Sequence, residues 1–218
     1  MTEHDDTLDE SVFATNSERA ELQLKRDIGV IVGNPPYSVG QTSGNDNNAN
    51  LKYPTLDAAI ETTYAVRSTA TNKNSLYDSY IRAIRWASDR IGDAGIIGFV
   101  TNGGFVDANT TDGLRKSLSD EFSTIYVYNL RGNQRTAGEL SRKEGGKVFG
   151  SGSRNTVAIT LLVKHPDHTG PATIWYHDVG DYLTRDQKLA LVDAAAVETL
   201  PGSPSPQTPR ATGSTSEM

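Results

Sequence analysis

The stretch Ile28-Gly29-Val30-Ile31-Val32-Gly33-Asn34-Pro35-Pro36-Tyr37 constrains the fold of this chain more than any other. Ile28 to Val32 is apolar or β-branched apart from one glycine, and reads as a short buried strand. Gly33 releases the chain. Asn34 precedes a proline, which pushes it toward extended backbone. Pro35 and Pro36 fix φ and carry no N–H. A strand therefore ends in a stiff corner that offers an amide side chain, bare carbonyls and an aromatic ring.

That corner suits the capture of a planar amino group. The side-chain oxygen of Asn34 and the carbonyl of Pro35 can accept two N–H bonds, and the prolines place no donor in competition. Tyr37 can stack on a base, a contact worth about 1–3 kcal/mol. This offsets part of the few kcal/mol lost when a base leaves a duplex. The alternative is a plain Pro-Pro turn opened by Asn34, with Tyr37 packed on the surface.

At 218 residues the chain is long enough for one domain with a sizeable core. It has no cysteine, so neither a disulfide framework nor a thiolate metal site is expected. His4, His165, His168 and His177 are scattered, and no metal is expected from them. No apolar run approaches membrane-spanning length. The acidic, polar N-terminus does not read as a secretory signal. A cytoplasmic protein without membrane contact is the expectation. The net charge of −6 argues against a free-standing DNA binder. Yet Arg131, Arg135, Arg142, Lys143, Lys147 and Arg154 cluster against only Glu139 and Glu144. These six cations are candidate phosphate contacts; the alternative is a solvated loop.

Taken in order, residues 1–25 read as a polar junction with a short helix around Ser17–Leu24. Residues 26–200 form the folded unit, and 201–218, rich in Pro, Ser and Thr, read as a disordered tail. Residues 38–54, rich in Asn, Gly and Ser, read as a flexible loop. Leu56–Val66 has helical spacing. Ser75 is the expected cap of a helix whose inner face carries Leu76, Tyr80, Ala83, Ile84, Ala87 and Ile91. Gly95–Val100 reads as a second strand, and Thr111 as the cap of a helix reaching about Phe122. Strands follow at Ile125–Leu130, Thr156–Val163 and Ala172–His177. Thr184 and Gln187 form a capping box for a helix reaching about Glu198. Strands and helices that alternate, then two strands without a helix between them, predict an α/β fold. Its sheet would be doubly wound and mostly parallel, with an antiparallel edge. Ligands in such sheets meet the carboxyl ends of strands, so Asn34 and Thr101-Asn102 are expected to line one crevice.

Asn34-Pro35-Pro36-Tyr37 matches the catalytic motif of amino-group methyltransferases that use S-adenosylmethionine. From about Ile28 to Val192 the chain also resembles the adenine-N6 DNA methyltransferase domain of large single-chain restriction-modification enzymes. The supporting stretches are Asn34–Ser38, Leu76–Tyr80, Gly95–Asn102 and Leu130–Asn133. The resemblance implies the catalytic half of a Rossmann-like methyltransferase sheet. It implies that Asn34 and Pro35 hold the adenine amino group and that Tyr37 stacks on a flipped base. It also implies that Leu76 and Tyr77 help form the pocket between cofactor and base, although both also read as plain core residues of a helix start.

The family carries a glycine-rich cofactor loop upstream of its Asn-Pro-Pro-Tyr motif. The residues ahead of Asn34 contain no such loop, and Phe149–Ser153 precedes a strand instead of following one. The expectation is a fragment, inactive alone, whose partners are DNA and the upstream and target-recognition segments of a parent enzyme. Two alternatives stand beside DNA methylation: a glutamine-amide protein methyltransferase, and a non-catalytic remnant or interaction module.

Overall fold

The computed structural model describes residues 19, 21–37, 53–149, 154–197 and 203–204. The expected loop centred on residues 44–48, the glycine cluster at 150–153 and most of the expected tail lie outside them. Residues 21–24 are helical and exposed.

The described elements are, in order, β1 (Val30–Gly33), α1 (Pro54–Ile60), α2 (Ser79–Arg90), β2 (Gly95–Asn102), α3 (Asp112–Glu121), β3 (Thr124–Arg131), α4 (Gly138–Glu144), β4 (Val157–Lys164), β5 (Thr173–Asp178), α5 (Arg185–Ala194) and β6 (Ser203–Pro204). The strands form one sheet in the order β1-β2-β4-β3-β5-β6. β1 runs parallel to β2, and β3 parallel to β5. β4 is antiparallel to both β2 and β3. The antiparallel strand that closes the alternating pattern therefore lies inside the sheet. The short segment β6 gives an antiparallel outer edge against β5.

α1 opens with proline in its first turn, where the missing N–H costs nothing. It continues into a π-helical turn at Glu61–Ala65 that buries Tyr64. The expected single helix from Ser75 is two elements. Asn74–Tyr77 is a 3-10 turn, and α2 starts afresh after Asp78. Asp78 has the extended backbone of a cap residue, so it takes the cap position assigned to Ser75. The hydroxyl of Ser75 is instead buried without a hydrogen-bond partner. Thr111 precedes α3, but its hydroxyl turns back to the carbonyls of Phe105 and Ala108, 3.0 and 2.9 Å away. The capping box of α5 is complete, with Thr184 and Gln187 each bonding the other's backbone N–H. The helix ends at Ala194, short of Glu198.

α1, α2 and α3 cover one face of the sheet. Ile60, Tyr64, Leu76, Ile81, Ile84 and Leu114 pack there on Ile97, Phe99, Ile125 and Leu162. The buried Arg85 joins two of these helices, donating to Glu121 and Asp89, both at 2.6 Å. On the opposite face a smaller cluster of Tyr128, Leu130, Val148 and Val157 is flanked by Val192 and Ala195. Toward β1 that face is open. Val30 is 63%, Val32 79% and Ile96 42% exposed. The apolar run of the first strand reads as buried, but a strand lacking its upstream neighbours exposes an apolar edge, and the second expectation is what is found. β1 is an edge strand with one covered face, because only β2 pairs with it among the described residues.

Candidate active site at the end of the first strand

β1 delivers Asn34 at its carboxyl end. Gly33 packs closely there: a Cβ would stand 3.2 Å from the ring of Phe99 on β2, which would have to shift to admit it. Asn34 is exposed and makes no hydrogen bond to another described residue. Pro35 is half-buried behind it. Tyr37 is half-buried and meets the ring of Tyr80 edge to face, at 6.3 Å between centroids. Tyr80 is itself tilted against Phe105 at 6.4 Å. Burial raises the Tyr37 phenol above its ordinary range, so it remains protonated at neutral pH.

Thr101 and Asn102 do not extend this corner as expected. Alternation along β2 places Thr101 on the helix-covered face with Ile97 and Phe99. It is fully buried, and its hydroxyl has no hydrogen-bond partner. Asn102 accepts from the N–H of Gly104 at 2.9 Å and caps the 3-10 turn that follows β2. Both side chains are therefore committed to the fold.

Leu76 is fully buried in the core, and Tyr77 lies partly exposed beside it. A cluster not evident in the sequence surrounds Tyr77. The Arg82 guanidinium lies 5.5 Å from the Tyr53 ring and 6.0 Å from the Tyr77 ring. It also forks onto Asp57 at 2.7 and 3.1 Å. No local spacing announces this group, because its members come from α1, the 3-10 turn and α2.

The six basic residues separate into two kinds. Arg131 has φ of 56° and is held by Asp178 at 2.6 Å and by Asp181. Burial alone would lower its pKa, but the two carboxylates outweigh burial and raise it. Its neighbour Asn129 donates to the Tyr176 hydroxyl at 3.0 Å and to Asp178 at 3.2 Å. Leu130–Asn133 is thus a junction between β3, β5 and α4. Arg154 donates to the Gln134 carbonyl at 2.8 Å. Lys147 is half-buried. Arg135, Arg142 and Lys143 are exposed, and Arg142 is the freest of the ion-paired cations in this segment, at 78% side-chain exposure and 3.5 Å from Glu139. Arg142 also borders an open cleft of about 720 Å³, with Gln134, Ser141 and Tyr182.

Cradles for a cofactor are sparse. Gly103 and Gly104 follow a strand, but a Cβ on Gly103 would meet Thr156 at 3.1 Å and one on Gly104 would meet Asn102 at 3.2 Å. Both glycines therefore lie against protein atoms. Among the described residues no group of three His, Cys, Asp or Glu is placed to hold a metal ion. Among them, too, no helix is long and apolar enough to cross a membrane.

Comparison with known proteins gives a consistent pattern. A family model described as Eco57I restriction-modification methylase matches residues 2–135. Among solved structures, a nuclease-deletion mutant of the Type ISP restriction-modification enzyme LlaGI, in complex with a DNA substrate mimic, is 50% identical with a TM-score of 0.81. That match covers 93% of this chain and 19% of LlaGI. The ATP-dependent Type ISP restriction-modification enzyme LlaBIII, bound to DNA, is 48% identical with a TM-score of 0.78, over 88% of this chain and 13% of that one. DrdV, in a DNA complex, is 40% identical with a TM-score of 0.80, over 88% of this chain and 19% of that one. The chain thus spans at most about a fifth of the length of these relatives. No curated protein matches it.

Proposed function

The chain belongs to the Eco57I restriction-modification methylase family, and on that premise we propose that it supplies the target-base half of an adenine-N6 DNA methyltransferase. One observation carries this. Asn34 is exposed, unclaimed by any described residue, and set on a rigid Pro-Pro corner beside an aromatic ring braced from below.

The side-chain oxygen of Asn34 and the carbonyl of Pro35 accept the two N–H bonds of the adenine amino group. Drawing on both hydrogens turns the nitrogen lone pair outward. Pro36 keeps the backbone from offering a competing donor. Tyr37 stacks on the extruded base, and Tyr80 fixes the ring so that little motion is lost on binding. The chain's contribution to rate is therefore orientation and electrostatics.

S-adenosylmethionine is the methyl donor that the family implies. The described residues do not fit it, because Gly103 and Gly104 close on protein atoms and no other described glycine pair follows a strand into a helix. The donor's binding elements belong to chain outside the described residues. The open flank of β1, with Val30 and Val32 exposed, supports that division of labour. Of the pair on the 3-10 turn, Leu76 is fully buried in the core, so Tyr77 is the one that can offer surface to a bound base. DNA phosphates are met by exposed cations, Arg135, Arg142 and Lys143 foremost; Arg154 is also exposed but is tied to the Gln134 carbonyl, and Arg131 serves the fold.

The test uses an intact enzyme carrying this segment and radiolabelled S-adenosylmethionine. Methyl label should appear on adenine N6 of duplex DNA. Label on cytosine, or on a glutamine-containing peptide in place of DNA, would refute the proposal.

A further inference from the structure

Lys188 on α5 is fully buried, and its ammonium is held by backbone carbonyls. It donates to the carbonyl of Glu144 at 2.7 Å and to that of Gly146 at 2.9 Å. Glu144 is the last residue of α4, so the charge sits at the negative end of that helix and satisfies carbonyls left open there. A buried ammonium is costly unless fully hydrogen-bonded, and a site retaining one uses it to specify a geometry.

What it specifies is the seat of α4. Gly145 has φ of +69°, and a Cβ there would stand 2.2 Å from the Leu183 carbonyl. A Cβ on Gly146 would lie 2.5 Å from the N–H nitrogen of Arg185. The two backbones therefore touch, joined by Gly146 N–H to Leu183 at 2.8 Å and Tyr182 N–H to Lys143 at 3.0 Å. The Glu144 carbonyl that binds Lys188 also accepts from Gly132, 3.2 Å away. One carbonyl thus joins α5, α4 and the turn after β3. No side chain of α4 is fully buried, so its seat depends largely on such hydrogen bonds. Arg142 and Lys143 ride on its last turn.

We infer that Lys188 is a positioning residue for DNA binding: it clamps the C-terminal end of α4 and so fixes where Arg142 and Lys143 meet the phosphate backbone. This rests on the proposal that those two cations contact DNA. Lys188 itself touches no DNA.

The experiment compares an intact enzyme carrying this segment with Lys188→Met, with Lys188→Gln, which keeps a donor, with Arg142→Ala/Lys143→Ala, and with the triple variant. Amide exchange at Gly132 and Gly145 reports the clamp without DNA. The salt dependence of duplex binding reports the phosphate contacts. Removing both cations should flatten the slope by about 1.8, at about 0.9 per phosphate. Lys188→Met should speed exchange about tenfold and flatten the slope in the same direction, with no further change in the triple variant. Lys188→Gln should fall between. Unchanged exchange in both Lys188 variants would overturn the clamp. Faster exchange with a wild-type slope, where Arg142→Ala/Lys143→Ala flattens it, would overturn the positioning role alone. An unchanged slope in Arg142→Ala/Lys143→Ala would overturn the DNA-contact reading, and the inference with it. If Lys188→Met does not fold, Lys188→Gln carries the same comparisons.

Discussion

Tyr37 and Tyr80 meet edge to face, with the two ring planes at 84°. Tyr80 is only 4% exposed and belongs to α2. The corner after β1 is therefore braced by a helix that starts more than forty residues later. An aromatic pair of this geometry contributes about 0.5–1.5 kcal/mol beyond its burial. The Tyr37 ring is packed against the hydrophobic core.

Asn34→Ala in an intact enzyme should abolish methyl transfer and leave duplex affinity within about threefold, since it removes one acceptor and no phosphate contact. A radiolabel assay beside a gel-shift titration checks both. Turnover near that of the wild type would remove Asn34 from the site.

Tyr37→Phe should be mild, because the ring supplies the stacking surface and its contact with Tyr80. Tyr37→Ala should weaken binding of an extruded base by about 1–3 kcal/mol. A fluorescent adenine analogue at the target position reports extrusion. Equal damage from the two substitutions would assign the effect to the hydroxyl.

Arg131→Ala should destabilise the fold by about 2 kcal/mol, because it leaves Asp178 and Asp181 without their shared partner. Its DNA salt slope should match the wild type. Urea denaturation and salt titration separate this behaviour from that of Arg142, where stability should be unchanged and the slope should flatten.

Asp112 sets a pH dependence. Burial works to raise its carboxyl, but bonds from Ser68, Thr69 and Lys116 outweigh burial and hold it well below the ordinary range. A depressed folded value means the stabilisation is complete above the unfolded value of about 3.9 and is lost as pH falls through the folded one. The stability gap between the wild type and Asp112→Asn should thus be constant above about pH 5 and shrink below about pH 4. Urea midpoints at several pH values give the gap. A gap that grows on acidification contradicts the sign.

Val32→Lys should reduce self-association of the chain without lowering its stability, because Val32 is 79% exposed on the open side of an edge strand. Sedimentation velocity over a concentration series measures it.

Short-range chemistry was legible in the sequence. The capping box of α5 needs only Thr184 and Gln187, three residues apart, and it is present. The corner at Asn34 needs only its own prolines. Leu114 and Leu118 turn inward as helical spacing requires. What escaped depends on distant partners. Arg131 looks like a free cation until Asp178, at the end of β5, and Asp181, just after it, arrive. Thr101 looks like a site residue because strand ends carry sites, but the face it takes is set by the register with Ala158 and its neighbours. The cap of α2 could fall on Ser75 or Asp78, since both residue types favour that position. The place of β4 inside the sheet is pairing information, and composition does not hold it.

That place of β4 also sets an order of events during synthesis. β2 and β3 do not pair with each other; β4 lies between them and pairs with both. A nascent chain that ends before Val157 thus carries two separated half-sheets, β1-β2 and β3, each with a bare edge toward the other. Emergence of Val157–Lys164 joins them in one step across both registers. Contacts so distant in sequence make closure slow, and unpaired edges are exposed until it happens. A pause that holds back Val157–Lys164 should therefore favour aggregation more than a pause after that segment has emerged, when β3 lacks only its β5 neighbour.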